Sequence, residues 1–323
     1  MRSTKLPSWI ESALGFGPVP SPPHVFYVGP DELRYAAFAA GPQGWAFDTE
    51  RHVPLPHGLY QTGVLGGPIR EPEIFAGALR QLIADLEPMK QASLVVPDSW
   101  LRLTFTEMAE LPGRAVQRQE VLAWKLRRLV PFRVEDLRIS ATRVTPFPNQ
   151  DEPLRLLLGF AVENLMAQLE AHFEAAGIHV GCITNNTLAL ASALEHTVAP
   201  EDLAAVVSVT EESYTLAFFR AGEPLLYRYK SFSEEAGRAD SVARDLRMTS
   251  SFLHEHFPGA PFARVFVAAP EDLEHQWLGW VASELEVTPE PVNAEHLELT
   301  RLRPGTSWCH SAPLLGAAML EVD

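Results

Sequence analysis

One short pattern occurs twice in this chain, once near the N-terminus and once in the second half. The segment VFYVGPDELRYAAFA begins at Val25, and VVSVTEESYTLAFF begins at Val206. Each has an apolar run, a short polar break and a second apolar run, which is typical of two antiparallel strands joined by a tight turn. A repeated supersecondary unit indicates a chain built from two similar lobes.

Strands and helices alternate through the middle of the chain. The apolar run LRLLLGFAV (154–162) predicts a buried strand, and residues 163–177 predict a helix that ends at a glycine. Residues 178–184 predict a second strand, and residues 185–197 a second helix. This alternation is typical of sheets covered by helices, so the predicted fold class is α/β. With 323 residues, the chain is long enough for two such lobes.

The other predicted elements fit the same plan. Helical spacing of apolar residues predicts five further helices, at residues 72–86, 116–129, 239–256, 271–285 and 311–321. Apolar or alternating runs predict further strands, at residues 92–96, 101–105, 138–145 and 263–269. Between residues 41 and 72, frequent Gly and Pro predict only short strand-like pieces.

The first residues form a separate predicted unit, residues 1–23. Leu6, Trp9, Ile10 and Leu14 recur at helical spacing, and the Pro-rich stretch 17–24 predicts a stiff linker. The short amphipathic helix either rests on a membrane surface or partner, or packs on its own domain. Only two cations are nearby to meet anionic lipid, which favours packing.

Composition excludes several classes of protein. The formal net charge is −15, from 41 acidic and 26 basic residues, which argues against nucleic acid as a main partner. Two cysteines are too few for a disulfide framework, so both are expected to be buried or idle thiols. The sequence has no run of 18 apolar residues and no secretory signal. A cytoplasmic protein is expected.

No motif for catalysis or metal binding stands out. The chain contains no GxSxG, GxxxxGK or GxGxxG pattern. His254 and His256 point to different faces of a helix, whereas a helical zinc site needs a spacing of four residues. Cys182 lies within an apolar strand, where a core thiol is expected. We therefore predict no catalytic residues and no metal site.

Three segments stand in a characteristic order along the chain: SLVVPDSW…VEDLRI (93–139), LLGFAVENL…LALASAL (157–194) and AAVVSVTEESYTLAFFRAGEPLLYRYKSF (204–232). They resemble the PilM family, the actin-like proteins of type IV pilus assembly. The resemblance covers about residues 24–320, and the order of the segments is more specific than any one of them. The cytoplasmic part of the type II secretion protein GspL shares this plan.

The resemblance implies a bilobed actin-like fold, that is, a duplicated ribonuclease H-like fold with an inserted small subdomain. The first lobe is expected at residues 24–185, with the insert at about 90–150, and the second lobe at residues 186–323. In the family, an Asp-x-Gly followed by Ser or Thr in each hairpin holds phosphates, and the Asp orients Mg²⁺ through water.

Both phosphate turns depart from the family pattern. The first turn lacks the Asp, its proline has no N–H donor, and two carboxylates follow. The second turn has Ser where the Asp belongs and has no glycine, and the Gly-Gly expected near the adenosine is Ala269-Pro270. The residues that mark these degenerate phosphate loops are Gly29, Pro30, Asp31, Ser208, Thr210 and Glu211.

Charge repulsion decides whether this chain is expected to bind nucleotide. Two unit charges about 4 Å apart near a protein surface interact by about 4 kcal/mol, which exceeds the roughly 1 kcal/mol net of one hydrogen bond. Carboxylates beside a triphosphate therefore oppose binding, and we expect a pseudo-ATPase with no cofactor. The alternative is an active actin-like ATPase or sugar-kinase relative that binds ATP with Mg²⁺.

The expected function is a scaffold on the cytoplasmic face of the inner membrane. In the family, PilM binds the N-terminal peptide of the membrane protein PilN beside the insert, PilN pairs with PilO, and the complex couples to motor ATPases. Carried over, the candidate contact residues are Trp124, Leu126, Leu129, Val130 and Phe132. Each of them has the alternative interpretation of a core residue. A GspL-like secretion platform is the alternative machine.

Overall fold

The computed structural model describes residues 19–41, 44–61, 63–130, 133–147, 154–199, 202–220, 222–232, 238–256, 262–301 and 307–322. The helix predicted within residues 6–14, part of the Pro-rich linker, and Phe132 lie outside these residues. None of the helices in these ranges is long and apolar enough to cross a membrane.

Sixteen strands, seven α-helices and two short 3₁₀-helices, Glu195–Thr197 and Ala294–Leu297, are found in the described ranges. The strands are β1 (Val19–Pro20), β2 (His24–Val28), β3 (Glu32–Gly41), β4 (Gly44–Pro54), β5 (Gln91–Val96), β6 (Leu101–Met108), β7 (Leu137–Val144), β8 (Leu154–Val162), β9 (His179–Asn185), β10 (Leu203–Val209), β11 (Ser213–Arg220), β12 (Glu223–Ser231), β13 (Phe262–Ala268), β14 (Glu290–Pro291), β15 (Leu299–Arg301) and β16 (Glu321–Val322). The helices are α1 (Pro72–Ile83), α2 (Ala115–Arg127), α3 (Glu163–Ala175), α4 (Asn186–Leu194), α5 (Arg238–His256), α6 (Glu271–Leu285) and α7 (Trp308–Met319).

Two large sheets share one topology, which confirms the duplication. The first has the strand order β15-β4-β3-β2-β5-β9, and the second has the order β12-β11-β10-β13-β14. In each, the first strand of the hairpin pairs antiparallel with the second and parallel with a later strand. The hairpins close at equivalent registers, with Val28 opposite Leu33 and Val209 opposite Tyr214.

The insert is a three-stranded antiparallel sheet, with the order β6-β8-β7, and helix α2 packs against it. The expected insert, at about residues 90–150, includes β5, but β5 pairs in parallel with β2 and β9 within the first sheet. The insert sheet instead runs from Leu101 to Val162. An apolar strand such as β5 or β8 does not reveal in its own sequence which sheet it joins.

Helices α4 and α7 lie between the two sheets and join them. Their apolar side chains share one core with Val25 and Val95 of the first sheet and Val206 and Phe266 of the second. The helices approach closely at Gly316, where an added Cβ atom would lie 1.7 Å from the carbonyl oxygen of Ala189. The end of the chain, expected in the second lobe, thus also packs on the first.

One long strand was not predicted. Strand β4 has eleven residues and pairs along nearly the whole of β3, although it lies within the Gly- and Pro-rich stretch. Its exposed and half-buried polar residues hide the alternation that predicts a strand. Gly44, with φ of +120°, begins it where a Cβ atom would clash with the Glu298 carbonyl oxygen.

Candidate functional site

The first phosphate turn is closed by its own hydrogen bonds. The N–H of Gly29 donates to the carbonyl oxygen of Glu32 over 3.0 Å, and Pro30 has no N–H to offer. The ring of Tyr27 covers the turn, since a Cβ atom at position 29 would lie 2.5 Å from it. Burial, together with the carboxylates of Glu32 and Asp31, raises the pKa of the Tyr27 phenol, so the hydroxyl stays neutral.

The charge at this turn is smaller than the sequence suggests. Arg34 donates to the Glu32 carboxylate over 3.0 Å and to that of Glu50 over 3.1 Å. These three side chains are largely buried, so the ion pairs are less screened than surface pairs. Glu32 is thus compensated, and Asp31 is the exposed acid at the turn.

The second phosphate turn also uses its donors internally. The N–H of Thr210 donates to the carbonyl oxygen of Ser213 over 2.9 Å. The Thr210 hydroxyl oxygen accepts from the N–H groups of Ser213, at 3.0 Å, and Glu212, at 3.3 Å. The buried Ser208 hydroxyl accepts from the Asn186 side chain over 3.1 Å. Glu211 is exposed beside them.

The third expected nucleotide contact follows β13. Ala269 is buried there, and Pro270 precedes helix α6 as its N-cap. The first turn of α6 carries Glu271, Asp272 and Glu274. Neither glycine expected near an adenosine is present, and the helix begins with carboxylates.

A buried carboxylate joins the two lobes beside these turns. Asp98 follows β5, and its Oδ1 accepts from the Tyr227 hydroxyl of β12 over 2.7 Å. It also accepts from the N–H of Thr187, at 3.1 Å, and from the Thr187 hydroxyl, at 2.8 Å. Burial raises the pKa of Asp98, and the hydrogen bonds from Tyr227 and Thr187 oppose part of that rise.

Asn185 completes this network at the start of α4. Its side-chain oxygen caps the helix by accepting from the N–H of Leu188 over 2.8 Å. Its side-chain nitrogen donates to the Tyr227 hydroxyl, at 2.8 Å, and to the carbonyl oxygen of Leu101, at 2.9 Å. Sequence reasoning missed this network. An acid two residues after a buried strand was the available signal.

A second contact holds the insert to the second lobe. The guanidinium of Arg155 lies between the rings of Phe105 and Phe147, 4.1 and 3.9 Å from their centroids. It also donates to the carbonyl oxygen of Leu225 in β12. Arg155 is 2% exposed, so these contacts are shielded from water. Together with the Asp98 network, they fix β12 to the first lobe and its insert.

The candidate contact residues divide into two groups. Leu126 is fully buried in the insert core and faces the sheet from the inner side of α2, which favours its alternative interpretation as a core residue. Trp124 and Leu129 are 52% and 49% exposed. Val130 is partly buried against the insert core, and Phe132 lies outside the described residues.

The two cysteines differ. Burial raises the pKa of the Cys182 thiol, as expected for a core thiol. Burial also acts to raise the pKa of Cys309, but His310, Ser307 and Arg34 outweigh it, and the pKa of Cys309 is lowered. No group of three His, Cys, Asp or Glu side chains that could hold a metal ion occurs within the described ranges.

A cavity of about 590 Å³ lies away from the phosphate turns. Its wall includes Leu194 of α4, Ala204 near the start of β10, Phe266 of β13 and Leu320. Because Ser208 and Thr210 lie at the opposite end of β10, the cavity is not the expected nucleotide site.

The chain has an actin-like fold, and comparison with solved structures agrees. It is similar to a chain of the PilM-PilN type IV pilus biogenesis complex, with a TM-score of 0.70 and 17% identity over 93% of this chain and 98% of that one. The PilM-like fold predicted from the sequence is therefore confirmed. A protein of unknown function with an actin-like ATPase fold, from Bacteroides thetaiotaomicron, gives a TM-score of 0.51 at 8% identity, over 91% and 96% of the two chains.

The cytoplasmic domain of EpsL, an inner membrane component of the type II secretion system of Vibrio cholerae, gives a TM-score of 0.47. Its identity is 14%, over 90% of this chain and 92% of that one. No family model and no curated protein matches the sequence.

Proposed function

We propose that this protein is a cytoplasmic scaffold of a type IV pilus assembly platform at the inner membrane. It binds the N-terminal peptide of a PilN-like membrane protein and does not use nucleotide. The observation that carries the proposal is the shared fold with the PilM-PilN complex over almost the whole of both chains. A PilN/PilO-type membrane complex and pilus motor ATPases are the partners that such a scaffold would connect.

The two turns support the loss of nucleotide binding. A backbone N–H that binds an ionised oxygen contributes about 1.5–3 kcal/mol, but only if that N–H is available. The N–H groups of Gly29, Thr210 and Ser213 are already used within the turns. A phosphate would have to break those bonds, displace the Tyr27 ring and approach the exposed acids Asp31 and Glu211.

The contacts between lobes support a fixed body. The Asp98 network and the Arg155 contacts tie the lobes together. Separating the lobes would leave the Asp98 carboxylate and the Arg155 guanidinium with fewer hydrogen-bond partners, which is costly for buried charges. A rigid docking platform fits this arrangement better than a motor.

The proposed peptide site lies beside the C-terminal end of α2. Trp124 and Leu129 expose apolar surface there, and Val130 continues it toward the insert core. Strand β7 is an outer strand of the insert sheet, and such strands accept extended peptides through main-chain hydrogen bonds. An apolar side chain of the peptide would cover Leu129 and Val130.

The direct test is a titration of the full chain with a labelled N-terminal peptide of the PilN-like protein encoded by a neighbouring gene, followed by fluorescence anisotropy. We expect saturable binding that Leu129→Ser weakens at least about tenfold, the loss that follows from about 1.4 kcal/mol of contact energy. Ile74→Ser is the matched control, because Ile74 is similarly exposed on α1. No binding by the folded wild-type chain would overturn the proposal.

A further inference from the structure

Helix α2 and the turn after it expose several large apolar side chains. Six large apolar residues are exposed in the described ranges, and three of them, Val116, Trp124 and Leu129, lie in this one region. Val116 is 72% exposed, and Trp124 points away from the insert core that Leu126 faces. The exposed residues of 114–129 are called the α2 surface below.

The same region is basic in an acidic protein. Residues 114–133 contain six Arg or Lys and one Glu, a net charge of +5, so the rest of the chain carries −20. Carboxylates outside the segment offset part of this charge: Arg127 pairs with Glu135, and Arg133 lies 3.9 Å from Glu135 and from Asp136. The charge is therefore reduced but not cancelled.

Most of the cations on this surface do not meet a carboxylate. Arg118 donates to the carbonyl oxygens of Pro112 and Gly113, and Lys125 donates to that of Glu107. The Arg128 guanidinium lies 5.3 Å from the centroid of the Trp124 ring. In the part of the chain that the structure describes, no salt bridge to a carboxylate forms at Arg114, Arg118, Lys125 or Arg128.

We propose that the α2 surface rests on the anionic surface of a lipid bilayer. Trp124 lies at the level of the headgroups, Val116 contacts the boundary with the acyl chains, and the exposed arginines Arg114, Arg118 and Arg128 meet lipid phosphates. Leu129, just after the end of the helix, is left to the proposed peptide site. The proposal rests on the proposed function only in placing the protein beside a membrane. It orients the insert toward the bilayer and the more acidic remainder away from it.

Charge alone would also suit an acidic protein partner, but the exposed apolar side chains favour the bilayer. Carboxylates of a partner would neutralise the cations without covering Val116 and Trp124. Lys125 and Arg128 lie beside the exposed Trp124 ring, and tryptophan is a residue that membrane–water interfaces favour. The predicted helix of residues 6–14 has fewer cations nearby, so the α2 surface is the stronger electrostatic contact.

The test uses the full chain and vesicle flotation. We expect binding to vesicles of equal parts phosphatidylglycerol and phosphatidylcholine, weak binding to phosphatidylcholine alone, and weakening by salt. Replacing both Arg118→Glu and Arg128→Glu should reduce binding at least about tenfold. Arg70→Glu with Arg80→Glu is the charge-matched control, because both residues are exposed on or beside α1, and it should bind as the wild type does.

The inference would be overturned by equal binding to both vesicle types, by no binding of the folded wild-type chain, or by equal losses in the test and control variants. Loss of binding on removal of residues 1–18 alone, with no effect of the α2 replacements, would also overturn it and assign the contact to the N-terminal segment. Circular dichroism checks that each variant folds. A chain that binds the PilN-type peptide but no vesicle would refute this inference and leave the proposed function standing.

Discussion

The hydroxyl of Tyr227 donates a 2.7 Å hydrogen bond to Oδ1 of Asp98 and thereby joins strand β12 of the second lobe to the first lobe. Both side chains are buried, and Asp98 also holds Thr187 at the start of α4. A charged group in this position is stable only while its donors are present. The hydrogen bond therefore helps to fix the position of one lobe relative to the other in the folded protein.

Removing this one hydroxyl should measurably loosen the protein. Tyr227→Phe keeps the ring but takes one donor from the Asp98 carboxylate, and we expect the free energy of unfolding to fall by about 2 kcal/mol. Urea unfolding measures the change. Tyr229→Phe, on the same strand, is the control and should change stability by no more than about 0.5 kcal/mol. Equal effects of the two variants would show that the bond to Asp98 contributes little.

The stability that Asp98 provides should depend on pH. Burial raises the pKa of Asp98 above its ordinary value of 3.8, so the folded state holds the proton more tightly than the unfolded state. The free energy of unfolding of the wild type, relative to Asp98→Asn, should therefore fall as the pH rises from the ordinary pKa through the raised one. Urea unfolding of both proteins between about pH 4 and pH 8 tests this. A relative gain by the wild type over that range would mean that the hydrogen bonds outweigh burial.

The approach of α4 and α7 at Gly316 gives a sharp prediction. Gly316→Ala places a Cβ atom against the backbone of Ala189 and should destabilise the protein by about 3 kcal/mol. Gly279→Ala in α6 is the matched control, since no atom lies within 4 Å of its Cβ position. It should leave stability unchanged or raise it by up to about 1 kcal/mol through helix propensity. Thermal unfolding of the two variants measures the difference in stability. Similar effects of the two replacements would contradict the close packing of α4 against α7.

The two thiols should react at different rates. The pKa of Cys309 is lowered because His310, Ser307 and Arg34 outweigh the effect of burial, whereas burial raises the pKa of Cys182. Since the thiolate is the reactive form, iodoacetamide should label Cys309 faster at neutral pH. Mass spectrometry of timed samples measures both rates, and His310→Gln should slow the labelling of Cys309 alone. Faster labelling of Cys182 would contradict the prediction that Cys309 is the more reactive thiol.

Much of the fold could be predicted from local patterns. The hairpins at Val28 and Val209, the buried strand 154–162 and the helix 271–285 were found because each is a continuous run of one periodicity. The partners of these elements were not predictable, because pairing depends on distant residues. Thus β5 joined the first sheet rather than the insert, and α7 packs against both lobes.

The site was harder to predict than the fold. The turns were located by their position in the hairpins, but the sequence does not show that Arg34 compensates Glu32 or that Tyr27 covers Gly29. The resemblance to the PilM family put Trp124 and Leu126 together as contacts, although they lie on opposite faces of α2. Asp98 and Tyr227 are far apart in sequence, and only the folded chain brings them together.

The central claim is that this protein has an actin-like fold but does not bind nucleotide phosphates, and that it acts as a docking platform for a partner peptide. Isothermal titration calorimetry of the full chain with Mg·ATP tests it most directly. Because the N–H groups of Gly29 and Thr210 are bound within their own turns, we expect no binding heat up to millimolar nucleotide. Saturable binding with a micromolar dissociation constant would contradict the account.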